Sequence, residues 1–418
     1  MTQVALELGA HVQALLAGES GDGSAMAMRL VCESARLLNA PSLVKVDSAH
    51  IDGALYHGDS GTLFAERLQA LGARVSIRST LNVGALDLTG CSTNRLPLHE
   101  RDMARRLMKA YIAIGCEPSW TCSPYQAGHR PALGSDVAWG ESNAVVFCNS
   151  VLGARTNRYG DYLDIACAIT GFAPRTGLHL TENRLATFVF DVSALPVDSF
   201  AEESFWPILG SLYGKWAGTA VGVVKGVPRH PGEDALKAFG AASASTGGVG
   251  LFHIAGVTPE APDVETILGT NAPMEVMQIS AADFAEQKRR MATVQGVTSI
   301  DAVAIGSPHL SLEECQRLER LIGGRTLATP FYACTGRHVL KDLESSGLRK
   351  SLELAGVTVV IDTCVVVTPI MKELAGGVLM TNSGKFAQYA PGNTGYGVVF
   401  GSMAECVESA VSGRPVHG

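Results

Sequence analysis

An α/β fold of more than one domain is what this sequence predicts, and three observations carry the prediction. Strand-like and helix-like runs alternate from end to end. The 418 residues exceed what one ordinary core holds. The 46 glycines supply the tight turns and close backbone approaches of such folds. A hydrophobic content of 46% with 17% charged residues describes a well-buried globular chain. A composition shift near residue 198 and a clear strand series in the last third divide the chain into regions 1–195, 196–290 and 291–418.

Taken in order, the amino-terminal run ending in "ALLAGESG" reads as an amphipathic first helix. "SLVKV" (42–46) reads as a buried strand, "DSAHIDGALYHGDSG" (47–61) as a polar loop, and "TLFAERLQALGA" (62–73) as the helix after it. A second strand is expected over "RVSIRS" (74–79), and an i, i+3/i+4 pattern predicts a helix over 99–115. The stretch from Cys116 to Asn143 is irregular and long enough to suggest function. "RLATFVFDV" (184–192) is a further strand. "DAVAIG", "ATPFYAC", "VTVVID" and "GVLMTN" are four strands, each followed by a polar turn. Ligands of open α/β sheets gather at the carboxyl ends of strands, so the turns GSPH, CTGR, DTC and NSGK are site candidates together. Ser311 with Glu314 three residues on forms a capping box at a helix start.

The net charge of −7 provides no basic surplus for nucleic acid. No apolar run reaches the roughly 18 residues that span a bilayer. The amino terminus lacks the features of a secretory leader, and the protein is expected to be cytoplasmic, with no nucleic-acid or membrane partner. The ten scattered cysteines form no CxxC pair and no zinc-finger spacing. Most read as small buried hydrophobes. Cys116 and Cys122 lie in a loop broken by Pro118 and Pro124, which argues against a core position and suits ligation of iron or zinc.

Several polar clusters could carry chemistry. The 47–61 stretch holds two histidines and three aspartates, more than helix capping requires. Arg155 and Arg158 could form a surface ion network or clamp a carboxylate. Cys364 follows Asp362 at the end of an apolar strand, and Cys334 stands similarly. "NSGK" lacks the GxxxxGK[ST] spacing of a phosphate loop, which excludes the ATPase reading. Ser383 and Lys385 at a helix start could still hold an anion. Two classes remain from the residues alone: a metal-dependent lyase, and a non-metal α/β binding or transferase protein whose cysteines are merely buried.

In order along the chain, "DSAHIDGALYHGDSG", "TLNVG", "TCSPY", "GESNAVVFCNSVLGARTNR", "GSPHLSLEE", "DTC" and "NSGKFAQYAPG" resemble aconitase X, a branch of the aconitase superfamily. The resemblance implies multidomain α/β/α sheets and an iron-dependent or iron–sulfur hydro-lyase. It also implies a chain without the swivel domain, which a separate small subunit would supply. Two dehydratase activities belong to the family, on cis-3-hydroxy-L-proline and on mevalonate 5-phosphate. The ligand positions implied are Cys122, Ser307 and Cys364, with Cys334 in reserve. The phosphomevalonate branch has cysteine where Ser307 stands, which puts a full cubane cluster in doubt and leaves an iron–sulfur cluster or mononuclear iron. The departure favours the hydroxyproline activity. The implied pocket comprises Gly53, Ala54, Asp59, Ser60, Asn82, Val83, Glu141, Ser142 and Asn143. For the base, Ser383, His57, Lys385 and a residue of the small subunit stay open.

Overall fold

The computed structural model describes residues 6–89, 95–270, 272–371 and 376–416. The chain forms two compact units, one of residues 1–86 and 96–185, the other of residues 87–95 and 186–418.

The amino-terminal unit runs through α1 (Ala10–Leu16), α2 (Asp22–Leu37), β1 (Leu43–Lys45), β2 (Ser48–Ile51), α3 (Asp59–Ala70), β3 (Arg78–Leu81), α4 (Leu98–Ile114), β4 (Ala138–Trp139), α5 (Ser142–Phe147), α6 (Leu163–Thr170) and β5 (Phe172–Pro174). Strands β3, β2 and β4 form a parallel sheet in that order, and β1 pairs antiparallel with β5. The expectation of a polar loop over 47–61 fails for its first part. Ser48–Ile51 is the central strand, buried at every position, and the Nδ1 of its polar His50 is bonded by the neighbouring Thr80. The strand expected over 74–79 begins only at Arg78, because Val75 N–H and Ser76 N–H bond the ends of helices, Ile114 O and Ala168 O.

Cys116 and Cys122 are both buried, against the expectation that their loop is no core. Glu117 N–H bonds Ser79 O, and Leu81 N–H bonds Glu117 O, so the segment after α4 runs along β3 like an extra strand. Burial pushes the Cys116 thiol well up, which makes it an inert core group. Cys91 lies outside the described residues, and the other nine cysteines are all buried, with no disulfide among the described residues.

The carboxy-terminal unit continues with β6 (Phe188–Asp191), α7 (Phe205–Ala217), β7 (Gly222–Lys225), α8 (Glu233–Thr246), β8 (His253–Ile254), α9 (Val264–Leu268), β9 (Val276–Gln278) and α10 (Ala281–Arg290). Its strands make a parallel sheet in the order β8-β7-β6-β9. There follow β10 (Ala302–Leu310), α11 (Leu312–Ile322), β11 (Phe331–Thr335), α12 (Arg337–Ser345), α13 (Leu348–Ala355), β12 (Val357–Ile361), β13 (Val378–Thr381), α14 (Gly384–Thr394), β14 (Gly397–Phe400) and α15 (Met403–Ser412). These strands form a five-stranded parallel sheet, β12-β11-β10-β13-β14.

Alternation along β10 sorts its side chains to two cores. Val303 and Ile305 pack on one face with Leu318, Leu343 and Val407 of the covering helices. Ala302 and Ala304 face the other core with Cys334, Cys364 and Phe386. Burial on both faces explains why these strands read as short continuous apolar runs. In each of the three parallel sheets the chain winds outward from one strand and then returns to its other side. The switch points lie at β2/β4, β6/β9 and β10/β13.

Candidate active site

The β10/β13 switch point gathers four of the turns singled out from sequence. Strand β10 loses register with β11 between Ile305 and Leu310, and Gly306 at φ +91 makes the break possible. A Cβ at Gly306 would fall on the Cys334 backbone. The next residue is Ser307, joined to Pro308 by a cis peptide bond. Ser383 caps α14 by accepting from Phe386 N–H at 3.0 Å, and its own hydroxyl donates to Ser307 O.

Cys364 lies beyond the end of β12, after Asp362 at φ +68. Arg337 holds that aspartate through two bonds, Nε to Oδ1 at 2.8 Å and Nη2 to Oδ2 at 2.6 Å. The Cys364 sulfur takes hydrogen bonds from the Cys334 thiol, the Val366 N–H and the Ser307 hydroxyl, with the Lys385 charge nearby. These donors outweigh burial and draw its thiol below the ordinary range, toward the thiolate. His309 is buried, with its Nε2 3.0 Å from Thr363 O. Burial lowers its pKa to about 3, so it stays neutral and donates through Nε2–H.

Among the described residues no three His, Cys, Asp or Glu side chains converge into one ligand group. What does converge is Cys364 with Cys334 and the Ser307 hydroxyl. A sulfur held toward thiolate with a second sulfur and a hydroxyl beside it suits iron, so this donor set fits the implied metal through Cys364.

In the amino-terminal unit the candidates cluster at the carboxyl ends of β2 and β4. Asp164 of α6 is fully buried, and its Oδ2 accepts from Asp52 N at 2.7 Å and Gly53 N at 3.3 Å. Asn82 Nδ2 donates to Asp52 Oδ1 at 2.5 Å. Asp164 thus shapes the turn that carries Gly53 and Ala54. Burial first, and then the charge of Asp52, push its carboxyl up to about 8. Val83 is buried beside Asn82.

Glu141 caps α5, its Oε2 accepting from Ala144 N at 2.6 Å, and Ser142 Oγ reaches its Oε1 at 3.3 Å. Asn143 donates through Nδ2 to Cys122 O at 2.9 Å and to Tyr125 Oη at 3.1 Å, which ties the Cys122 loop to α5. A second buried chain runs from His50 Nδ1 to Thr80 Oγ1 at 2.8 Å and on to His129 Nδ1 at 2.7 Å. Burial lowers both imidazoles to about 3, so both are neutral.

At the surface, His57 and Ser60 are exposed, and Asp59 opens α3 with Tyr56 Oη at 2.8 Å and His99 Nε2 at 2.9 Å. Arg155 Nη1 donates to Thr181 Oγ1 at 2.9 Å, and Arg158 is exposed. Sequence reading passed over Asp164 and Lys237. Asp164 is the one charged residue of an apolar helix, with a partner 112 residues away, and Lys237 pairs with Asp234 of its own helix and with Glu314, 77 residues away.

A doubly wound α/β protein with a hydrogen-bonded cysteine and polar residues at its switch points belongs to the class of small-molecule enzymes. Comparison with known proteins specifies which. Profiles of the aconitase X first, second and third domains match residues 5–182, 186–289 and 300–412. Cis-3-hydroxy-L-proline dehydratase of Pseudomonas aeruginosa is 40% identical over all of this chain and 72% of its own length. The phosphomevalonate dehydratase large subunit of Methanothermobacter thermautotrophicus is 36% identical over 92% of this chain and 93% of its own. The crystal structure of Thermococcus kodakaraensis aconitase X in its holo form superposes with a TM-score of 0.86 at 30% identity, covering 97% of this chain and 100% of that one. The chain belongs to the aconitase X family, and its named relatives are dehydratases, that is, carbon–oxygen hydro-lyases.

Proposed function

We propose that the chain is the large, catalytic subunit of a dehydratase that converts cis-3-hydroxy-L-proline to 1-pyrroline-2-carboxylate. The observation that carries the substrate is the residue at 307. A serine stands where the resemblance implies cysteine in the phosphomevalonate branch, and the Pseudomonas relative, aligned along the whole chain, is named for hydroxyproline. Mevalonate 5-phosphate is the second reading, favoured by the match to large subunits over nearly their full length.

The reaction breaks the C2–H and C3–O bonds and forms C2=C3. A base takes the C2 proton, the departing hydroxide takes up one proton and leaves as water, so that one water is lost overall, and the resulting enamine tautomerises to the cyclic imine. Iron held through Cys364, with Ser307, Cys334 and Cys122 as the further candidates, would supply Lewis acidity for the departing hydroxyl. Ser307 donates to the Cys364 sulfur and so keeps it electron-poor and fixed. The N–H groups opening α14, with Ser383 and Lys385, suit the substrate carboxylate and the negative charge that develops on it. On the amino-terminal unit, Gly53 and Ala54, in a turn shaped by Asp164, offer backbone donors, and the resemblance implies substrate contacts by Asn82, Val83, Glu141, Ser142 and Asn143. Asp59 and Ser60 stand at the start of α3, where an anion is favoured. Of the base candidates, Ser383 already donates to Ser307 O. Lys385, His57 and a small-subunit residue complete the set.

A small swivel-type subunit as a separate chain is part of the proposal, supported by the large-subunit names of relatives that align over 93% and 97% of their length. Side-by-side rates on cis-3-hydroxy-L-proline and mevalonate 5-phosphate test the substrate, using chain purified without oxygen. They are measured with and without the segment of the Pseudomonas relative that lies outside its match. Turnover of hydroxyproline that depends on the added segment is the expected result. Preference for the phosphate ester would overturn the substrate, and full rate without the segment would overturn the separate subunit.

A further inference from the structure

We propose that Lys237 is a positioning residue of the reaction centre, holding the turn that bears Ser307 through the backbone carbonyl of His309. The inference rests on reading that turn as part of the centre. Between Ile305 and Leu310 the β10/β11 ladder is broken, so the carbonyls there need partners from elsewhere. Each of three finds a side chain. Ser307 O accepts from Ser383 Oγ, His309 O from Lys237 Nζ at 3.2 Å, and Leu310 O from Thr335 Oγ1 at 2.7 Å.

Lys237 comes from α8, in the region matched by the second family domain, and reaches a turn of the third. It is 2% exposed, and its ammonium has three acceptors for three protons: His309 O, Asp234 Oδ1 at 2.9 Å and Glu314 Oε2 at 2.5 Å. The two carboxylates continue the clamp. Asp234 Oδ2 accepts from Ser311 Oγ at 2.7 Å, and Glu314 Oε2 accepts from Ser311 N at 2.8 Å. The turn is thus gripped at His309 and again at Ser311 by one network seated on α8 and α11.

A buried ammonium is a costly way to fill space, and an apolar side chain of similar length would fill it more cheaply. What only the ammonium supplies is a donor aimed at His309 O together with neutralisation of two carboxylates. The device fixes the height of the Ser307 turn against Cys364 and Ser383, where a displacement of an ångström is enough to slow chemistry about a hundredfold.

The test combines Lys237→Met with Glu314→Gln, which removes the donor without stranding a carboxylate against α11, and is read by amide hydrogen exchange and kinetics. Exchange over residues 306–311 should quicken at least about tenfold with the rest of the unit unchanged. In the same variant kcat on cis-3-hydroxy-L-proline should fall by about 10- to 100-fold while KM moves less than about twofold. Asp234→Asn, less buried and less disruptive, should move both readouts the same way by a smaller factor, and decides the matter if the double variant fails to fold. Unchanged exchange and kcat, or quickened exchange spread over the whole unit, would overturn the role. If the wild-type chain dehydrates no hydroxyproline, the functional reading fails, and the exchange readout alone decides whether Lys237 holds the turn.

Discussion

At Asp164 a carboxyl sealed from solvent shapes the turn of Asp52 and Gly53, and its proton is part of that structure. Burial and Asp52 raise it from the ordinary 3.8 to about 8, so the native state keeps a proton that the unfolded chain releases. Stability therefore falls as pH climbs from about 4 through 8. Asp164→Asn should flatten this slope, measured as unfolding midpoints between about pH 5 and pH 8; an unchanged slope would remove Asp164 as its source. Thr80 links two neutral histidines, and Thr80→Val keeps the shape while orphaning both Nδ1 atoms. A loss of about 2–4 kcal/mol in denaturant unfolding is expected. Ser307→Cys puts a third sulfur beside Cys364 and Cys334. More iron per chain by metal assay, with a shift in substrate preference, is the expected outcome; no change in either would leave Ser307 a connector.

Among the elements, α7 and α8 show what close packing asks of a sequence. Gly210 and Gly214 sit one turn apart on α7, and a Cβ on either would strike the α8 backbone at Phe239 or Ser243. Gly210→Leu should collapse the unfolding midpoint of the carboxy-terminal unit, seen by calorimetry, with little effect on the other unit's transition. The elements easiest to read from sequence are those with strong periodicity or chemical punctuation. The helix expected over 99–115 is Leu98–Ile114, and the Ser311–Glu314 capping box is present with both bonds. The short strands were less legible. Ser48–Ile51 hid among polar letters because its His50 finds its partner, Thr80, on another strand, and β14 is not among the strands the sequence predicts. Cys116 misled because prolines in its loop suggest exposure, whereas the loop runs back along β3.

For the whole molecule, sequence made the strand-end turns visible as candidates, but strand order is what ranks them. The reversal after β12 places β13 beside β10, which brings Ser383 onto Ser307 O and leaves Cys334 and Cys364 on the same core face. No spacing along the chain encodes that meeting. Cys334 rose from reserve to a direct partner of Cys364 for the same reason, while Asp164 and the Lys237–Glu314 pair rest on partners far along the chain. The family was legible because seven polar motifs recur in order, and motif order survives where contact geometry is hidden. Cys364 is the point on which the proposed site, metal and chemistry all depend. The most direct measurement is the visible spectrum and turnover of Cys364→Ser purified without oxygen beside the wild type. The account predicts a folded variant that loses the sulfur-to-iron absorption and at least about a hundredfold in kcat. A variant that keeps both colour and turnover would contradict it.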